Sequence, residues 1–388
     1  MVFWVAYTMK KIVHVITGLG VGGAETFLLR LIPCLRGADY ESTVIYLTGQ
    51  GEYASAYREK GISVIPLELN SPKNVFSGVL RLLKILREES PDLINTWMYH
   101  ANLLGGVAGK VMRIPVIWNV RQSNLSNKVN KANTLGAIRI SAPLSRVLPF
   151  EILYNSEAAR AAHKKIGFRH PRSRVLINGV DESIFSPSTA LRVKLRSELG
   201  IPDDAPIVGH VARYDIQKDH ETFLRAVGIV RLKRHDLHVV MIGAGVEWKN
   251  ERLTQSLAYE RDSDWLHLLG PRENMRELYS AMDIFCSSSI GESFPNAVLE
   301  AMMMALPCVV TDVGDSRRIV GEGGSVIAPA DYENLARELL RVVSMRESQR
   351  KKIGLAMRAL ALERFTLSKA ANSFVECFDE VTNNSKSK

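Results

Sequence analysis

The strongest constraint on the fold is a regular alternation of strand and helix patterns along the 388-residue chain. Short apolar runs of strand length start at 11–17 and alternate with helical patterns up to a strand at 173–177. After a polar stretch that contains Pro187, Pro202 and Pro206, the alternation restarts at 206–212 and continues to 325–328. Such alternation predicts parallel sheets with helices on both faces. We therefore expect an α/β protein with two Rossmann-like, doubly wound domains.

The interruption of this pattern predicts the domain boundaries. We place an N-terminal domain at 1–180, a linker at 181–204 and a C-terminal domain at 205–365, followed by a helical, charged tail. Met9 is a candidate second start, so residues 1–8 are treated as an extension. In such sheets, ligands bind at the carboxyl ends of the strands, and we expect them in a cleft between the two domains.

Composition excludes several classes of protein. With 46% hydrophobic and 23% charged residues, the chain is neither disordered over most of its length nor a coiled coil or collagen. The four cysteines are scattered without a C-x-x-C pair, which excludes a ribbon-type zinc site and fits a reducing cytoplasm. No apolar run reaches the roughly 20 residues that a membrane-spanning helix needs.

The charges are unevenly distributed. Residues 1–180 hold 23 Lys and Arg against 11 Asp and Glu, and no acidic residue lies between Asp92 and Glu151. This basic half indicates an anionic partner, such as nucleic acid, anionic lipid or a phosphorylated substrate. The alternative is a solvated basic face that binds nothing. Nucleic acid is disfavoured because no recognised nucleic-acid module is present and no basic strand carries interleaved aromatic residues.

A glycine-rich segment, GLGVGG at 18–23, follows the first strand and opens the first helix. It matches the G-x-G-x-x-G pattern of dinucleotide sites, where close backbone approach and helix N–H groups favour a phosphate. The second strand ends in Leu47-Thr48-Gly49-Gln50, without the acidic residue that would hold a ribose. An NAD site is therefore disfavoured, and a tight turn without a ligand remains the alternative.

Two glutamates, Glu292 and Glu300, are separated by seven residues and follow the strand at 283–287. We expect a helix to start at Ser293 or Phe294, with Ser293 as its N-cap and Pro295 in the first turn. Its N-terminus could then receive a phosphate or sugar hydroxyls, while the glutamates accept hydrogen bonds from the same ligand. An ordinary solvated helix is the alternative.

Cations and glycines follow other strands of the second half. Arg213 ends the strand at 206–212 and Lys218 lies at the predicted start of the next helix, a pair that suits a diphosphate. Gly243 begins a close-approach loop after the strand at 237–242. Surface cations that bind no ligand are the alternative for the first pair.

Polar residues also follow strands of the first half. His100 comes just after the strand at 92–96, and Arg121 and Asn124 come after the next strand. We assign Arg121 and Asn124 to the acceptor or membrane side of the site. A neutral imidazole can donate or accept a hydrogen bond at a reacting sugar, although a lone histidine is more often structural. All these features lie at strand ends, and this convergence is stronger evidence than any single motif.

Taken together, the motifs resemble those of the retaining glycosyltransferases of family 4, which have the GT-B fold. The matching segments span nearly the whole chain: GLGVGGAE at 18–25, NTWMYHANLLG at 95–105, YNSEAAR at 154–160, NGVD at 178–181, GHVARYDIQKDH at 209–220, ESFPNAVLEAM at 292–302 and PCVVTDVGD at 307–315. Ser293 and Asp315 stand where many members have glycine.

The resemblance implies a role for each matching residue. It implies that Arg213 and Lys218 bind the diphosphate of a nucleotide sugar and that Glu300 holds its ribose. It implies further contacts with the donor from Glu292, from the backbone of Ser293, Phe294 and Asn296, and, in the N-terminal domain, from Gly22, Gly23 and His100. The close-approach loop at Gly243 is a further candidate for binding the nucleotide sugar. It also implies that a helix at 366–388 crosses back to the N-terminal domain.

The family's chemistry implies transfer with retention of anomeric configuration, in which the leaving phosphate helps to take the acceptor proton. Fixed cations and helix N-termini can stabilise that phosphate, so no metal and no other cofactor is expected. The D-x-D segment at Asp262 and Asp264 is the alternative metal site, but it lies in a polar loop without further ligands.

The acceptor is predicted from the basic half together with the resemblance. Residues 133–148 combine apolar residues with Arg139 and Arg146, which predicts an interfacial helix, with a core helix as the alternative. We expect a lipid-linked saccharide acceptor, such as a polyprenyl diphosphate, at the anionic inner face of the cell membrane. The expected function is hexosyl or N-acetylhexosaminyl transfer, from a UDP-sugar, in bacterial surface-polysaccharide, lipopolysaccharide or capsule synthesis. A sugar-nucleotide epimerase and a non-catalytic sugar-nucleotide binder remain alternatives.

Overall fold

The computed structural model describes residues 9–20, 22–49, 51–69, 74–127, 129–257 and 263–386. The chain divides into two compact units. Unit 1 comprises Met1–Gly179 together with Leu367–Lys388, and unit 2 comprises Val180–Thr366. Each unit contains one parallel sheet.

The secondary structure alternates as the sequence predicts, and the predicted strands agree with the structure to within a few residues. The strands are β1 Lys10–Gly18, β2 Tyr40–Thr48, β3 Ser63–Pro66, β4 Leu93–Trp97, β5 Val116–Val120, β6 Glu151–Tyr154, β7 Ser173–Val175, β8 Ile207–Val211, β9 His238–Ile242, β10 Leu266–Leu268, β11 Ile284–Ser287, β12 Cys308–Thr311 and β13 Ser325–Ile327. The helices are α1 Gly23–Arg36, α2 Ala54–Glu59, α3 Val75–Glu89, α4 Tyr99–Met112, α5 Ala132–Leu144, α6 Glu157–Lys165, α7 Thr189–Glu198, α8 His220–Arg231, α9 Glu251–Thr254, α10 Met275–Ala281, α11 Asn296–Met303, α12 Ser316–Val320, α13 Tyr332–Val343, α14 Glu347–Arg364 and α15 Leu367–Lys386.

Unit 1 is built on a 7-stranded sheet in the order β3-β2-β1-β4-β5-β6-β7. The central strands β4 and β5 are buried along their whole length, as expected for strands covered on both faces. The order reverses between β1 and β4, so the carboxyl ends of these two strands form the switch point at which ligands bind in doubly wound sheets.

The last helix, α15, packs on unit 1. Phe374 stacks on Trp97 with ring centroids 6.2 Å apart, and Phe378 meets the edge of Tyr40. Lys10 donates to Asp379 over 2.5 Å, which ties the start of β1 to the same helix. The aromatic contacts bury a large apolar area, so α15 is part of the unit 1 core.

Unit 2 contains a 6-stranded sheet in the order β10-β9-β8-β11-β12-β13. Its order reverses between β8 and β11, the strands that precede the predicted site residues. Helix α13 shows why the covering helices form: Leu335, Leu339 and Val342 recur at helical spacing and are buried against the sheet. The predicted fold class, two doubly wound parallel-sheet domains, is therefore confirmed.

The stretch 181–204, predicted as a linker, instead belongs to unit 2 and contains helix Thr189–Glu198. Arg196 of this helix is fully buried, donates to Asp283 over 2.6 Å and also donates to the carbonyl of Ala205. The helix is thus anchored by a buried ion pair rather than by an apolar stripe, which explains why hydrophobic periodicity did not reveal it.

Within the part of the chain that the structure describes, no helix combines the length and apolar character that crossing a bilayer requires.

Candidate functional site

The predicted donor residues gather at the carboxyl edge of the unit 2 sheet. Arg213 follows β8, Gly243 follows β9 and Glu292 follows β11. Because β8, β9 and β11 are parallel neighbours, their carboxyl ends share one edge. The cations Arg213 and Lys218 and the carboxylate of Glu292 therefore lie around the switch point of the sheet.

The centre of this edge is an ion pair between Lys218 and Glu292. The Lys218 Nζ atom donates to Glu292 Oε1 over 2.5 Å, and Ser289 Oγ donates to the same oxygen over 2.8 Å. Both charged side chains are largely buried, with 22% of Lys218 and 12% of Glu292 exposed. Removing either partner would therefore leave an uncompensated, mostly buried charge.

A tight turn holds the backbone of Lys218. Residues Ile216–Lys218 form a 3₁₀ turn, and the helix predicted to begin at 218 begins two residues later. Asp219 has a φ of 47°, and the buried hydroxyl of Ser288 is within 3.0 Å of the Lys218 carbonyl and 2.9 Å of the Asp219 carbonyl. Ile290 N donates to the Gln217 carbonyl. The loop after β11 thus fixes the turn after β8.

Arg213 has its own acidic partner. Its Nη2 and Nε atoms donate to Asp215 Oδ2 over 3.1 and 3.3 Å. The other carboxylate oxygen, Oδ1, accepts the N–H of Gln217 at the start of the turn. Just over half of the Arg213 side chain is exposed, so a ligand can compete with Asp215 for the guanidinium.

Two glycines are required where backbone segments approach each other. Gly243 has a φ of 149°, and a Cβ there would lie 2.1 Å from the Ala212 carbonyl oxygen and 2.8 Å from Arg213 N. Gly314 has a φ of 56°, and a Cβ there would lie 2.5 Å from the Glu292 carbonyl oxygen. The backbone at Arg213 therefore packs directly against Gly243, and the backbone at Glu292 packs directly against Gly314, so that neither glycine leaves room for a side chain.

The helix after Glu292 starts later than predicted. Helix α11 begins at Asn296, its N-cap is Pro295, and Ser293 is not the cap. The Ser293 carbonyl instead accepts the N–H of Asp315, which holds the preceding residues in a loop. Phe294 is buried and meets Phe365 edge to face. The loop at 288–295 is thus held by neighbouring loops rather than by a helical cap.

Glu300 is held by a buried tyrosine. The Tyr279 hydroxyl lies 3.2 Å from Glu300 Oε2 and also 3.2 Å from the carbonyl of Ala297, and Tyr279 itself is fully buried. Because Tyr279 lies 21 residues upstream of Glu300, the sequence carried no signal for this contact. Glu300 is half-buried, so its carboxylate is oriented by the core while remaining partly accessible.

In unit 1, His100 is the second residue of α4 and is half-buried. Burial lowers the pKa of its imidazole below the ordinary value, while a hydrogen bond with the backbone of Asn133 opposes the shift. The ring is therefore neutral at neutral pH and able to donate or accept a hydrogen bond.

The glycine-rich segment lies at the start of α1, with Gly22 as N-cap and Gly23 as the first helical residue. A Cβ at Gly22 would lie 2.4 Å from Glu25 Oε2, so a carboxylate of the chain itself lies beside this helix start. A phosphate that approached Gly22 and Gly23 would meet that negative charge.

The residues predicted for the acceptor or membrane side separate into two groups. Arg121 does not lie on an open surface, because its guanidinium is packed over the rings of Phe27 and Trp97. Asn124 shapes its own loop, since its carbonyl accepts from Gln122 and its side chain accepts from Ser126 N. Arg121 is thus held by two aromatic rings, and Asn124 by hydrogen bonds within its own loop.

Arg139 and Arg146 are exposed and line a groove of about 660 Å³, together with Arg169 and apolar residues that include Leu135 and Ile138. The predicted interfacial helix at 133–148 is in part a core helix, because Ile138 is buried in the unit 1 core. Ile140 and Val147 remain more than half exposed.

No cluster of three or more His, Cys, Asp or Glu side chains is arranged to hold a metal ion in the described ranges. Asp262 of the D-x-D segment lies outside the described residues, so that alternative stays untested.

Sequence reasoning missed Asp215, Ser288, Ser289 and Tyr279, which hold the predicted residues in place. The run of serines at 287–289, which ends three residues before Glu292, was the available signal, because hydroxyls at a strand end are suited to orienting the next loop.

Two family models match the chain. The Glycosyltransferase Family 4 model matches residues 21–184, and the Glycosyl transferases group 1 model matches residues 205–345. With two doubly wound parallel sheets, the protein is a glycosyltransferase of the GT-B fold. It belongs to the family 4 type, with a group 1 domain in its C-terminal half.

Similar proteins and structures agree with this assignment. The putative glycosyltransferase EpsF of Bacillus subtilis is 26% identical over 79% of this chain and 80% of its own length. The Escherichia coli UDP-Gal:alpha-D-GlcNAc-diphosphoundecaprenol alpha-1,3-galactosyltransferase is 24% identical over 68% of this chain and 70% of its own. The crystal structure of HepE from Anabaena in complex with UDP-glucose superimposes with a TM-score of 0.83 at 21% identity, covering 95% of this chain and 99% of that one.

Proposed function

We propose that the protein transfers a hexosyl or N-acetylhexosaminyl residue from a nucleotide sugar to a saccharide acceptor with retention of anomeric configuration. The observation that carries the proposal is the Lys218–Glu292 pair beside Arg213, at the switch point of the unit 2 sheet. Cations at that point suit a diphosphate, and a carboxylate beside them suits sugar hydroxyls. UDP is the proposed carrier, because the E. coli relative uses UDP-Gal and the Anabaena structure holds UDP-glucose.

In this proposal, the donor replaces existing ion partners. Its diphosphate takes the place of Asp215 at Arg213 and that of Glu292 at Lys218, while Glu292 turns to the sugar together with the backbone of Ser293, Phe294 and Asn296. Glu300 accepts hydrogen bonds from the ribose hydroxyls. Because the turn and loop that carry these groups are already fixed, little reorganisation is needed to stabilise the leaving diphosphate.

The proposed chemical step needs no metal and no other cofactor. An acceptor hydroxyl oxygen bonds to the anomeric carbon on the face that the diphosphate leaves. The bond between that carbon and the phosphate oxygen breaks, and the hydroxyl proton passes to the departing phosphate. The products are a nucleoside diphosphate and the new glycoside. His100, neutral at neutral pH, is proposed to hydrogen-bond the reacting sugar.

For the acceptor, we propose a saccharide linked to polyprenyl diphosphate, in bacterial polysaccharide or lipopolysaccharide synthesis at the inner face of the cell membrane. The E. coli relative, which acts on a diphosphoundecaprenol-linked sugar, supports this class. A second support is the groove with Arg139 and Arg146, beside the exposed Ile140 and Val147, because basic and apolar side chains together favour an anionic membrane surface.

The test is turnover with purified protein. UDP-, GDP- and ADP-sugars are supplied with and without a short-chain polyprenyl-diphosphate N-acetylglucosamine, and both nucleoside diphosphate and glycoside are measured. We expect one donor to be consumed with the acceptor, an α-linked product by NMR, and loss of activity in Lys218→Ala and Glu292→Ala but not in Lys249→Ala, an exposed control.

Other outcomes would contradict the proposal in distinct ways. Interconversion of the donor without acceptor would show an epimerase. Binding of a nucleotide sugar without any turnover would show a binding protein. If no nucleotide sugar of the panel binds, the assignment of a donor site to unit 2 is wrong. A β-linked product would contradict retention alone.

A further inference from the structure

Arg121 is a half-buried charged side chain of unit 1, and its Nη1 atom is fully buried. It directly follows β5, at the carboxyl edge of the sheet. Its guanidinium carbon lies 4.9 Å from the centre of the Phe27 ring and 5.0 Å from that of the Trp97 ring. Two aromatic faces therefore hold the group in place, and much of its hydration has been removed.

The hydrogen bonds of Arg121 leave part of the group without a partner. Its Nη2 atom donates to Asn178 Oδ1, whereas its Nη1 atom is buried and has no acceptor within the described residues. The indole Nε1 of Trp97 also lacks an acceptor there. Two neighbouring buried donors thus lack an acceptor, which is uncommon in native structures.

Among the described residues, no carboxylate balances the charge of Arg121. The structure shows no ion pair of Arg121 among the described residues, and the sequence has no acidic residue from 93 to 150. Burial lowers the pKa of the guanidinium to about 9, so it remains charged at neutral pH. A cation that has lost much of its hydration and has no acidic partner among the described residues is unfavourable, and a ligand anion would reduce that penalty.

We propose that Arg121 is the anion-binding residue of an acceptor subsite in unit 1 and that it holds a phosphate oxygen of the acceptor. This inference rests on the proposed function, because it gives the acceptor a phosphate or diphosphate group. Phosphate is favoured because the planar fork of a guanidinium matches its oxygens. The competing explanation is structural: Arg121 would only anchor the loop that carries Asn178.

Inorganic pyrophosphate is the probe, and calorimetry is the measurement. The titration is made with UDP at saturation, so that the donor site is occupied. We expect wild type to bind pyrophosphate and Arg121→Met to bind it about 10- to 100-fold more weakly, the usual effect of losing a charge-assisted hydrogen bond. Lys110→Met, an exposed cation of the same acid-free segment, should match wild type.

A second variant separates anion binding from loop anchoring. Asn178→Ala removes the hydrogen-bond partner of Arg121 but keeps the cation. We expect it to retain pyrophosphate binding, even if its unfolding temperature falls. If Asn178→Ala loses pyrophosphate binding as Arg121→Met does, the effect comes from the loop and the proposal is overturned.

The two proposals can fail separately. Unchanged pyrophosphate affinity in Arg121→Met, with UDP binding intact, would overturn the anion subsite and leave the transferase standing. If wild type binds no UDP, the donor site fails instead. In that case, pyrophosphate is titrated into Lys218→Ala and into the double variant Lys218→Ala/Arg121→Met, both without UDP. The difference in affinity between these two variants then measures the contribution of Arg121. In turnover assays, we expect Arg121→Met to raise the acceptor KM and leave the donor KM unchanged.

Discussion

The candidate ligand-binding cations of the two units differ in whether they have an acidic partner. In unit 2, Arg213 and Lys218 each contact a carboxylate, from Asp215 and Glu292. In unit 1, the described residues provide no acidic partner for the half-buried Arg121. A ligand in unit 2 must therefore exchange with existing ion partners, whereas an anion in unit 1 would supply a missing one. The comparison shows that a cation with a carboxylate partner is held in position before its ligand binds. A cation without such a partner indicates that its ligand carries a negative charge.

Lys218→Ala should have the largest effect, because it breaks the pair at the centre of the unit 2 edge. We expect kcat/KM for the donor to fall about 10²- to 10³-fold, the usual loss when a group that stabilises a leaving anion is removed. Steady-state release of nucleoside diphosphate measures it. Wild-type activity in the variant would mean that the pair is only structural.

Gly243→Ala should disturb the same edge through the backbone. The added Cβ would clash with the Ala212 carbonyl and displace the backbone of Arg213. We expect a loss of about 1–3 kcal/mol in the free energy of unfolding, together with weaker UDP binding. The matched control is Gly228→Ala, at an open position in α8, which should gain about 0.5–1 kcal/mol. Equal unfolding temperatures for the two variants would contradict this account.

Tyr279→Phe should have a smaller and more selective effect. It removes the hydroxyl that contacts Glu300 but keeps the ring in the core. We expect about tenfold weaker binding of UDP, and no change for a dideoxy analogue that lacks the ribose hydroxyls, because the contact acts through Glu300. An equal loss for both ligands, measured by calorimetry, would show a general packing defect instead.

Asp215→Asn should have the smallest effect, and in the opposite direction. The amide still accepts the Gln217 N–H but no longer attracts Arg213 electrostatically. Exposed ion pairs contribute about 0.2–1 kcal/mol, so we expect UDP to bind about two- to fivefold more tightly. Weaker binding would show that Asp215 assists the donor rather than competing with it.

Sequence periodicity predicted the fold class and nearly every strand, because buried parallel strands are short apolar runs between helical patterns. It also placed Arg213, Lys218 and Glu292 at one sheet edge. It did not predict Tyr279 beside Glu300 or Ser288 beneath Lys218, because these contacts join segments that are distant along the chain. The later start of α11 was missed because a tertiary hydrogen bond, from Asp315 to Ser293, replaces the expected cap.

The most direct test of the central comparison is a pair of binding titrations on two variants. UDP is titrated into wild type, Lys218→Ala and Arg121→Met. Pyrophosphate is then titrated into the UDP complexes of wild type and Arg121→Met, and into Lys218→Ala without UDP. We predict that Lys218→Ala loses UDP binding but keeps pyrophosphate binding, whereas Arg121→Met loses pyrophosphate binding and keeps UDP binding. Loss of both ligands in both variants, or of neither, would contradict the assignment of separate anion sites to the two units.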